Sequence, residues 1–185
     1  MKSFTEADAA LPGVCAFATV ERAALEQQFD SLLAANGAAL GRLAASYTNT
    51  ASDRDDLLQE IALAVWQALR TFRGECSPRT FLFLIAHNRA IAYLSRSRPR
   101  FTSQDVEVHD PAPDPESGLA LEQRAERLRR AIRRLPLAYR QVITLTLEGL
   151  GYAEIAEVLG ISESNVGVRL SRARQLLRET LEDRK

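Results

Sequence analysis

Four side chains that could do chemistry stand close together in the first half of the chain. The stretch DRDDLLQE places carboxylates and an amide at Asp55, Asp56, Gln59 and Glu60. Such a cluster could bind a metal ion, act in acid–base catalysis, dock a basic partner, or stabilise a helix start, where each carboxylate contributes about 0.3–1 kcal/mol. No histidine and no second acidic cluster lies at a supporting spacing, so catalysis is the weakest of these interpretations.

The sequence offers little for metal binding or thiol chemistry. Cys15 and Cys76 have no CxxC partner, and only two histidines accompany them, so neither a zinc site nor a disulfide framework is supported. We expect reduced thiols, no metal and no cofactor. Glu6, Asp8 and Pro12 interrupt any apolar run at the N-terminus, and no stretch approaches the length of a membrane span. These features predict a cytoplasmic protein without membrane insertion.

A second set of reactive side chains, mostly arginines, lies near the C-terminus. The stretch GYAEIAEVLGISESNVGVRLSRARQLL predicts two short helices, the first stopped by Gly160 and the second capped by Ser162. The buried stripe of the second helix is predicted at Val166, Leu170, Ala173 and Leu177. Polar and basic residues are left to face outward or sideways: Ser164, Asn165, Arg169, Arg172 and Arg174.

This pattern is a helix-turn-helix signature. Arginine on such a helix suits the DNA major groove, because its guanidinium group pairs bidentately with guanine and also neutralises phosphate. The plainer alternative is a helical hairpin that carries a few solvated arginines.

Composition and charge favour an all-α protein with uneven electrostatics. The chain has 185 residues, of which 46% are hydrophobic, and strong helix formers dominate. Its net charge is zero. The balance of Lys and Arg against Asp and Glu is nevertheless −4 over residues 1–77, +5 over 78–101, −5 over 102–120 and +4 over 121–185. Two basic blocks separated by an acidic one fit local contacts with nucleic acid.

Helical spacing organises the first hundred residues. A regular pattern begins near Val20, with Asn36-Gly37 as either a break between two helices or a weak point within one. Ser52, with Asp55 three positions later, predicts the cap of a helix from Arg54 to about Phe72. Its apolar stripe is expected at Leu58, Ile61, Val65, Leu69 and Phe72. Ser77-Pro78 predicts the start of a third helix, to about Ser95.

This third helix carries no acidic residue and ends in RSRPR at positions 96–100. Basic charge, aromatic rings and the amide of Asn88 predict a surface for single-stranded nucleic acid, since bases stack on rings while arginines follow the backbone. A core helix with a solvated basic end fits the same segment equally well.

A linker and a second helical unit complete the chain. Prolines and acidic residues alternate from Thr102 to Gly118, which predicts an extended, flexible and acidic connection. The core of the second unit is expected at Leu121, Ala125, Leu128, Ile132, Leu135, Val142, Ile143, Leu145 and Leu147. We therefore predict an N-terminal extension (1–20), a helical domain (21–101), a linker (102–120) and a helix-turn-helix domain (121–185).

Four segments of the sequence together resemble a known protein family. DRDDLLQEIALAVWQAL, TFRGECSPRTFLFLIAHNRAIAYL, RLPLAYRQVITLTLEGLGYAEIAEVLGIS and NVGVRLSRARQLL stand in the order and spacing of an extracytoplasmic-function (ECF) sigma factor of bacterial RNA polymerase. The chain resembles that family from roughly Leu25 to Leu181. The resemblance implies a promoter-recognition subunit that binds DNA and polymerase and performs no catalysis itself.

The resemblance also assigns roles. The acidic cluster would dock the β′ coiled coil of core polymerase, and the C-terminal domain would meet the β flap. The -10 element would be captured and melted with Asn88, Arg79, Phe81, Arg96, Arg98 and Arg100. The -35 element would be read with Ser164, Asn165, Arg169, Arg172 and Arg174. An anti-sigma partner is implied as well.

Some positions depart from the family pattern. The family often has Trp at the position of Phe81 and a basic residue at that of Leu84. Lys or Arg and then Ser are frequent where Gly167 and Val168 stand, which predicts an unusual -35 sequence.

Two other classes of protein remain open at this stage. A stand-alone helix-turn-helix regulator would bind palindromic duplex DNA as a dimer and need no polymerase. A helical adaptor would bind only protein and ignore DNA at every salt concentration. Binding to core polymerase separates both from a sigma factor.

Overall fold

Seven helices make up the described part of the protein. The computed structural model describes residues 12–97 and 118–182, with side chains from 22 to 96 and from 123 to 182. The helices are α1 (Pro12–Tyr47), α2 (Ala51–Leu69), α3 (Pro78–Ser97), α4 (Gly118–Arg134), α5 (Leu137–Leu147), α6 (Tyr152–Leu159) and α7 (Glu163–Glu182). Neither range contains a strand, which confirms the all-α prediction.

Helix α1 runs unbroken through Asn36-Gly37. The buried Asn36 side-chain amide donates to the Leu32 carbonyl oxygen at 2.9 Å, so this polar residue is satisfied within the helix. Of the two possibilities that the sequence left open, a single helix is the one observed. It begins at Pro12, inside the segment predicted as an N-terminal extension.

Helix α2 begins earlier than the sequence suggested. Thr50 is the N-cap, and its hydroxyl oxygen accepts a hydrogen bond from the backbone N–H of Asp53 at 3.0 Å. The predicted cap, Ser52, is therefore wrong and lies in the first turn. Thr and Ser are both good caps, so local sequence could not choose between them. The helix ends at Leu69, which leaves Phe72 outside it.

Helix α3 begins as predicted. Its first residue is Pro78, and the Ser77 hydroxyl oxygen accepts from the backbone N–H of Thr80 at 3.0 Å. Proline fits this position because the first helical N–H has no partner within the helix.

Helices α1 to α3 form an N-terminal unit. Its largest fully buried apolar side chains are Leu43, Leu57, Ile61, Val65, Leu82 and Phe83. Leu57 therefore takes the central place that the sequence assigned to Leu58, which is half-buried. Near one end of the unit the Phe29 and Trp66 rings meet edge to face, with centroids 5.3 Å apart.

Helices α4 to α7 form a C-terminal unit. Its buried residues include Ile132, Leu135, Val142, Leu145, Ile155, Val166 and Leu170. Two predicted core positions are wrong: Ala125 is exposed on α4, and Leu147, the last residue of α5, is 54% exposed where the chain turns away from the core. Helix α4 begins at Gly118, so it includes the end of the predicted linker.

The two units pack against each other. Helix α1 contacts α4 and α5, and α3 contacts α6. The buried side chains of both units form one continuous cluster.

Candidate nucleic-acid interfaces

Helix α6 and the turn after it have the predicted geometry. The backbone N–H of Gly151, the N-cap, donates to a carboxylate oxygen of Glu154 at 2.8 Å. Gly160 ends the helix with φ +63°, a left-handed conformation that costs glycine least. The backbone N–H of Ile161 then reaches back to the Ala156 carbonyl oxygen at 3.0 Å. The turn is thus fixed by backbone bonds and one glycine.

Ser162 caps helix α7 from the position before its first residue, and its hydroxyl oxygen accepts from the backbone N–H of Asn165 at 3.3 Å. The predicted apolar stripe is confirmed, since Val166, Leu170, Ala173 and Leu177 are all buried. These contacts fix which side of α7 faces solvent and confirm the helix-turn-helix prediction.

The outward side of α7 carries the predicted polar residues. Ser164, Asn165, Arg172 and Arg174 are exposed, and Arg169 is half-buried. Arg169 Nε donates to Asn165 Oδ1 at 3.0 Å, and an Arg172 terminal nitrogen donates to Gln175 Oε1 at 3.0 Å. Within the described residues, no carboxylate lies at salt-bridge distance from Arg169, Arg172 or Arg174. Their positive charge is available to an external anion.

The arginines of α4 differ from those of α7. Glu126 forms ion pairs with Arg129, Arg130 and Arg133 at 2.8, 3.1 and 3.2 Å. Partial burial alone would raise the pKa of Glu126, but the hydrogen bonds and positive charges of Arg129 and Arg133 outweigh it, so the pKa is lowered. An arginine-rich stretch in the sequence therefore does not by itself identify an anion-binding surface.

Asn88 lies exposed at a groove between α2 and α3. The groove has a volume of about 300 Å³ and is lined by Ala64, Ala68, Ile85, Asn88, Arg89 and Ala92. Arg89 and the three alanines were not among the predicted site residues. Small residues four positions apart on α2, Ala64 and Ala68, are the sequence signal that could have indicated an opening there.

Phe81 is half-buried rather than free. Its ring lies against that of Phe72, with centroids 4.4 Å apart and an interplanar angle of 32°. This contact joins the start of α3 to the loop after α2.

Arg79 points toward the C-terminal unit. A terminal nitrogen of its guanidinium group donates to the backbone carbonyl oxygen of Glu148, and its Nε donates to Asn36 Oδ1 at 3.3 Å. The guanidinium carbon lies 5.5 Å from the centroid of the Phe83 ring. This predicted -10 residue is therefore engaged inside the protein in this structure.

Glu148 is the centre of the contact between the units. Its side chain is only 3% exposed, and its carboxylate accepts from Arg42 Nε at 2.9 Å and from an Arg42 terminal nitrogen at 2.6 Å. The hydrogen bond with Glu148 raises the pKa of Arg42. A second acid, Glu154, accepts from the Thr80 hydroxyl at 3.1 Å. Sequence reasoning missed these residues because the partners lie far apart along the chain and no local pattern links them.

A buried histidine faces the same contact. His87 Nε2 lies 3.4 Å from Gln141 Nε2, and His87 Nδ1 has no hydrogen-bond partner in the described residues. Burial lowers the pKa of His87 to about 4, so its imidazole is neutral at pH 7. Nearby, the Thr144 hydroxyl donates to Ser46 Oγ at 3.4 Å.

The acidic cluster forms an exposed face on α2. Asp55, Asp56 and Gln59 are exposed and Glu60 is half-exposed. Leu63, which is not among the predicted site residues, continues this face and is 59% exposed. Within residues 12–97 and 118–182, no group of three His, Cys, Asp or Glu residues could hold a metal ion.

Two predicted site residues from different surfaces pair with each other. An Arg96 terminal nitrogen contacts both carboxylate oxygens of Glu60, at 2.6 and 2.8 Å, and both side chains remain about half exposed. Arg98 and Arg100 lie outside the described residues. None of the described helices is long and apolar enough to cross a membrane.

The fold and the α6–α7 geometry define a helical protein of the helix-turn-helix class. Two family profiles match its two units: Sigma-70 region 2 over residues 32–100 and Sigma-70, region 4 over residues 125–177.

Relatives of known type match along most of the chain. RNA polymerase sigma factor NccH of Alcaligenes xylosoxydans xylosoxydans is 31% identical over 179 residues, covering 89% of this chain and 94% of NccH. ECF RNA polymerase sigma factor SigM of Mycobacterium tuberculosis is 31% identical over 157 residues, covering 83% and 76%. The solved structure of CnrH in complex with the cytosolic domain of CnrY aligns with a TM-score of 0.65 and 30% identity, covering 85% and 89%.

The chain therefore belongs to the ECF sigma factors of the sigma-70 family. Proteins of this family direct promoter-specific transcription.

Proposed function

We propose that this sigma factor reads the -35 element with α7, captures the -10 element with α3 and docks core RNA polymerase through α2. The observation that carries the proposal is the outward side of α7, where Arg169, Arg172 and Arg174 have no carboxylate partner among the described residues. A cationic helix face fixed by a helix-turn-helix suits the major groove.

On α7, different residues would do different work. Arg172 is exposed near the middle of the outward side, where a bidentate contact with guanine or a phosphate contact is sterically open. Ser164 and Asn165 lie in the first turn, where a recognition helix contacts base edges. Arg169 and Arg174 flank this face and would hold the DNA backbone, which makes binding salt-dependent.

For the -10 element, the groove beside Asn88 supports capture of an unstacked base. An exposed amide can pair with a base edge, and the apolar lining of Ala64, Ala68 and Ile85 can accept the face of a base. Phe81, with the loop after α2 and the first residues of α3 (73–79), would support the melted strand. Arg96, Arg98 and Arg100 would follow its backbone, with Arg96 exchanging its half-exposed ion pair with Glu60 for phosphate.

Contact between Arg79 and DNA would require the two units to separate. Arg79 is held by the Glu148 carbonyl oxygen and by Asn36, so it cannot reach DNA without exchanging these bonds. We propose that association with polymerase moves α6 away from α3 and frees Arg79. The segment 102–120 would act as the linker that permits this movement.

The α2 face suits a basic protein partner. Asp55, Asp56, Gln59 and Glu60 would dock the β′ coiled coil, with the exposed Leu63 supplying apolar contact area beside them. In this proposal residues 21–101 bind polymerase and the -10 element, residues 121–185 bind the -35 element and the β flap, and residues 1–20 are an extension without an assigned role.

Regulation by an anti-sigma factor is part of the proposal. CnrH is bound to the cytosolic domain of CnrY in its solved structure, and this chain has a similar fold. The protein would act in the cytoplasm by binding alone, with the nucleotide chemistry left to the polymerase.

The test is promoter-specific initiation by reconstituted holoenzyme. Core RNA polymerase with this chain should start transcripts at defined sites on genomic fragments, which also yields the promoter sequence. Arg172→Ala should then weaken binding to the -35 element by about 5- to 150-fold at matched salt, corresponding to about 1–3 kcal/mol. Arg178→Ala is the matched control, since Arg178 is exposed on α7 but contacts the carbonyl oxygen of Arg174 within its own helix.

Three results would contradict the proposal in different ways. Equal effects of Arg172→Ala and Arg178→Ala would mean that Arg172 makes no specific contact with the -35 element. Failure to bind core polymerase with retained binding to duplex DNA would favour a stand-alone regulator. Failure to bind DNA at any salt concentration, with or without polymerase, would favour a helical adaptor that binds only protein.

A further inference from the structure

Val168 stands in the middle of the proposed DNA-reading side of α7. Val168 is 64% exposed, the largest exposed fraction among the large hydrophobic residues whose side chains the structure describes. It follows the fully buried Val166 by two positions, a rotation of about 200° around the helix, so it points almost directly away from the core.

The neighbours of Val168 are polar on both sides. Ser164 lies one turn before it, while Ser171 and Arg172 lie about one turn after it, and all three are exposed. A single apolar side chain is thus surrounded by groups that donate or accept hydrogen bonds.

Folding does not explain a valine here. Valine is β-branched, which makes it a poorer helix former than alanine or arginine. The side chain contributes little burial, because most of it is in contact with solvent. Burial and helix propensity therefore do not favour valine over a polar residue at this position.

Base pairs present one apolar group in the major groove, the C5 methyl group of thymine. The groups beside it are amine donors and nitrogen or oxygen acceptors, which valine cannot pair. We infer that Val168 contacts the C5 methyl group of a thymine in the -35 element and thereby determines part of the promoter sequence. This inference rests on the proposed docking of α7 in the major groove.

The proposal restricts the promoter. An A·T pair must occupy the position that faces Val168, with its thymine on either strand. Arg172, one turn further along the helix, then reads a neighbouring position.

Removal of single methyl groups tests this contact. In a promoter obtained from the holoenzyme, each thymine of the -35 element on both strands is replaced in turn by deoxyuridine, which lacks only the C5 methyl group. Holoenzyme affinity is measured at fixed salt for the wild type, Val168→Ala and Val168→Thr. Val168→Thr keeps the branched shape but replaces one methyl group by a hydroxyl.

For the wild type, deoxyuridine at one thymine should weaken binding about three- to fourfold, the effect expected for burial of one methyl group. Val168→Ala should weaken binding to the unmodified promoter, and the same deoxyuridine should then cost it nothing further. Val168→Thr should reduce the difference between thymine and deoxyuridine. Leu181→Ser is the control for loss of an exposed apolar residue near the end of α7, and it should keep the full deoxyuridine effect.

The inference is overturned if no deoxyuridine substitution weakens wild-type binding, if the effect persists unchanged in Val168→Ala, or if the -35 element contains no A·T pair. If one of these results is obtained while Arg172→Ala still weakens binding to the -35 element, only the Val168 contact is refuted and the proposed docking of α7 stands. If binding is altered neither by base substitutions in the -35 element nor by Arg172→Ala, the proposed docking of α7 is refuted as well.

Discussion

The outward side of α7 and the first turn of α3 both carry arginine, yet the protein presents them differently. Arg172 and Arg174 are exposed, with no carboxylate at salt-bridge distance among the described residues. Arg79 is bound to the Glu148 carbonyl oxygen and to Asn36. The first surface is completed within one helix-turn-helix, whereas the second depends on how the two units pack.

This difference concerns accessibility as well as charge. A helix whose caps and buried stripe lie within one unit keeps its orientation whether or not the units separate. The surroundings of α3 include Glu148, Glu154 and Gln141, all from the C-terminal unit. Separation of the units should therefore alter the surface around Arg79 and leave the reading side of α7 unchanged.

Arg42→Ala should have the largest effect of the substitutions considered, because it weakens the packing between the two units. It leaves the carboxylate of Glu148, whose side chain is 3% exposed, without its ion-pair partner. Since the Arg42 side chain is 60% exposed and solvent screens the pair, we expect a loss of about 1–3 kcal/mol in the free energy of unfolding. Urea denaturation measures this loss. Spin labels placed on α2 and α7 should report a longer distance between the units.

The control for Arg42→Ala is Arg22→Ala, which removes a solvent-exposed pair with Glu26 on α1. This change should alter stability by less than about 0.5 kcal/mol. Similar losses in both variants, or an unchanged distance between labels in Arg42→Ala, would mean that Glu148 does not hold the units together.

Acid should weaken the packing around α3 through His87. The pKa of His87 is about 4 in the folded protein, below the ordinary value of 6.5. Between these pH values the unfolded chain binds a proton at His87 and the folded protein does not. The stability contributed by neutral His87 is complete above about pH 6.5 and is lost as pH falls toward 4. At pH 5 the loss should reach about 1–2 kcal/mol relative to pH 7.

His87→Gln removes this titration and keeps a hydrogen-bonding side chain near Gln141. Urea denaturation at pH 7, 6 and 5 should show a smaller decline for the variant than for the wild type. A parallel decline in both proteins would assign the acid sensitivity to other groups.

Asn88→Ala should give the smallest of these effects. It should affect only the capture of the -10 element by α3. One lost hydrogen bond to a captured base should slow open-complex formation about 2- to 10-fold, while closed-complex affinity stays within about twofold. Permanganate reactivity of unpaired thymines measures opening, and a gel shift at low temperature measures closed binding. Asn49→Ala, at an exposed asparagine outside the groove, is the control. Equal loss in both steps would argue against base capture by Asn88.

Local signals explain what the sequence predicted correctly. Gly160, Ser162 and the stripe from Val166 to Leu177 lie within one helix-turn-helix, where each signal concerns residues a few positions apart. Ser77-Pro78 likewise marked the start of α3. Where two local signals competed, as Thr50 and Ser52 did for the cap of α2, the prediction was wrong.

Residue type alone therefore determined the all-α fold, the helix-turn-helix and the family, because helix periodicity, caps and the buried stripe are encoded in short stretches. Tertiary structure decided which charges are free. Three arginines of α4 are held by Glu126, Arg42 is held by Glu148, and Arg79 is held by atoms of both units. Such pairings follow from the packing of distant segments, since a guanidinium group bonds whatever acceptor the fold brings within about 3 Å.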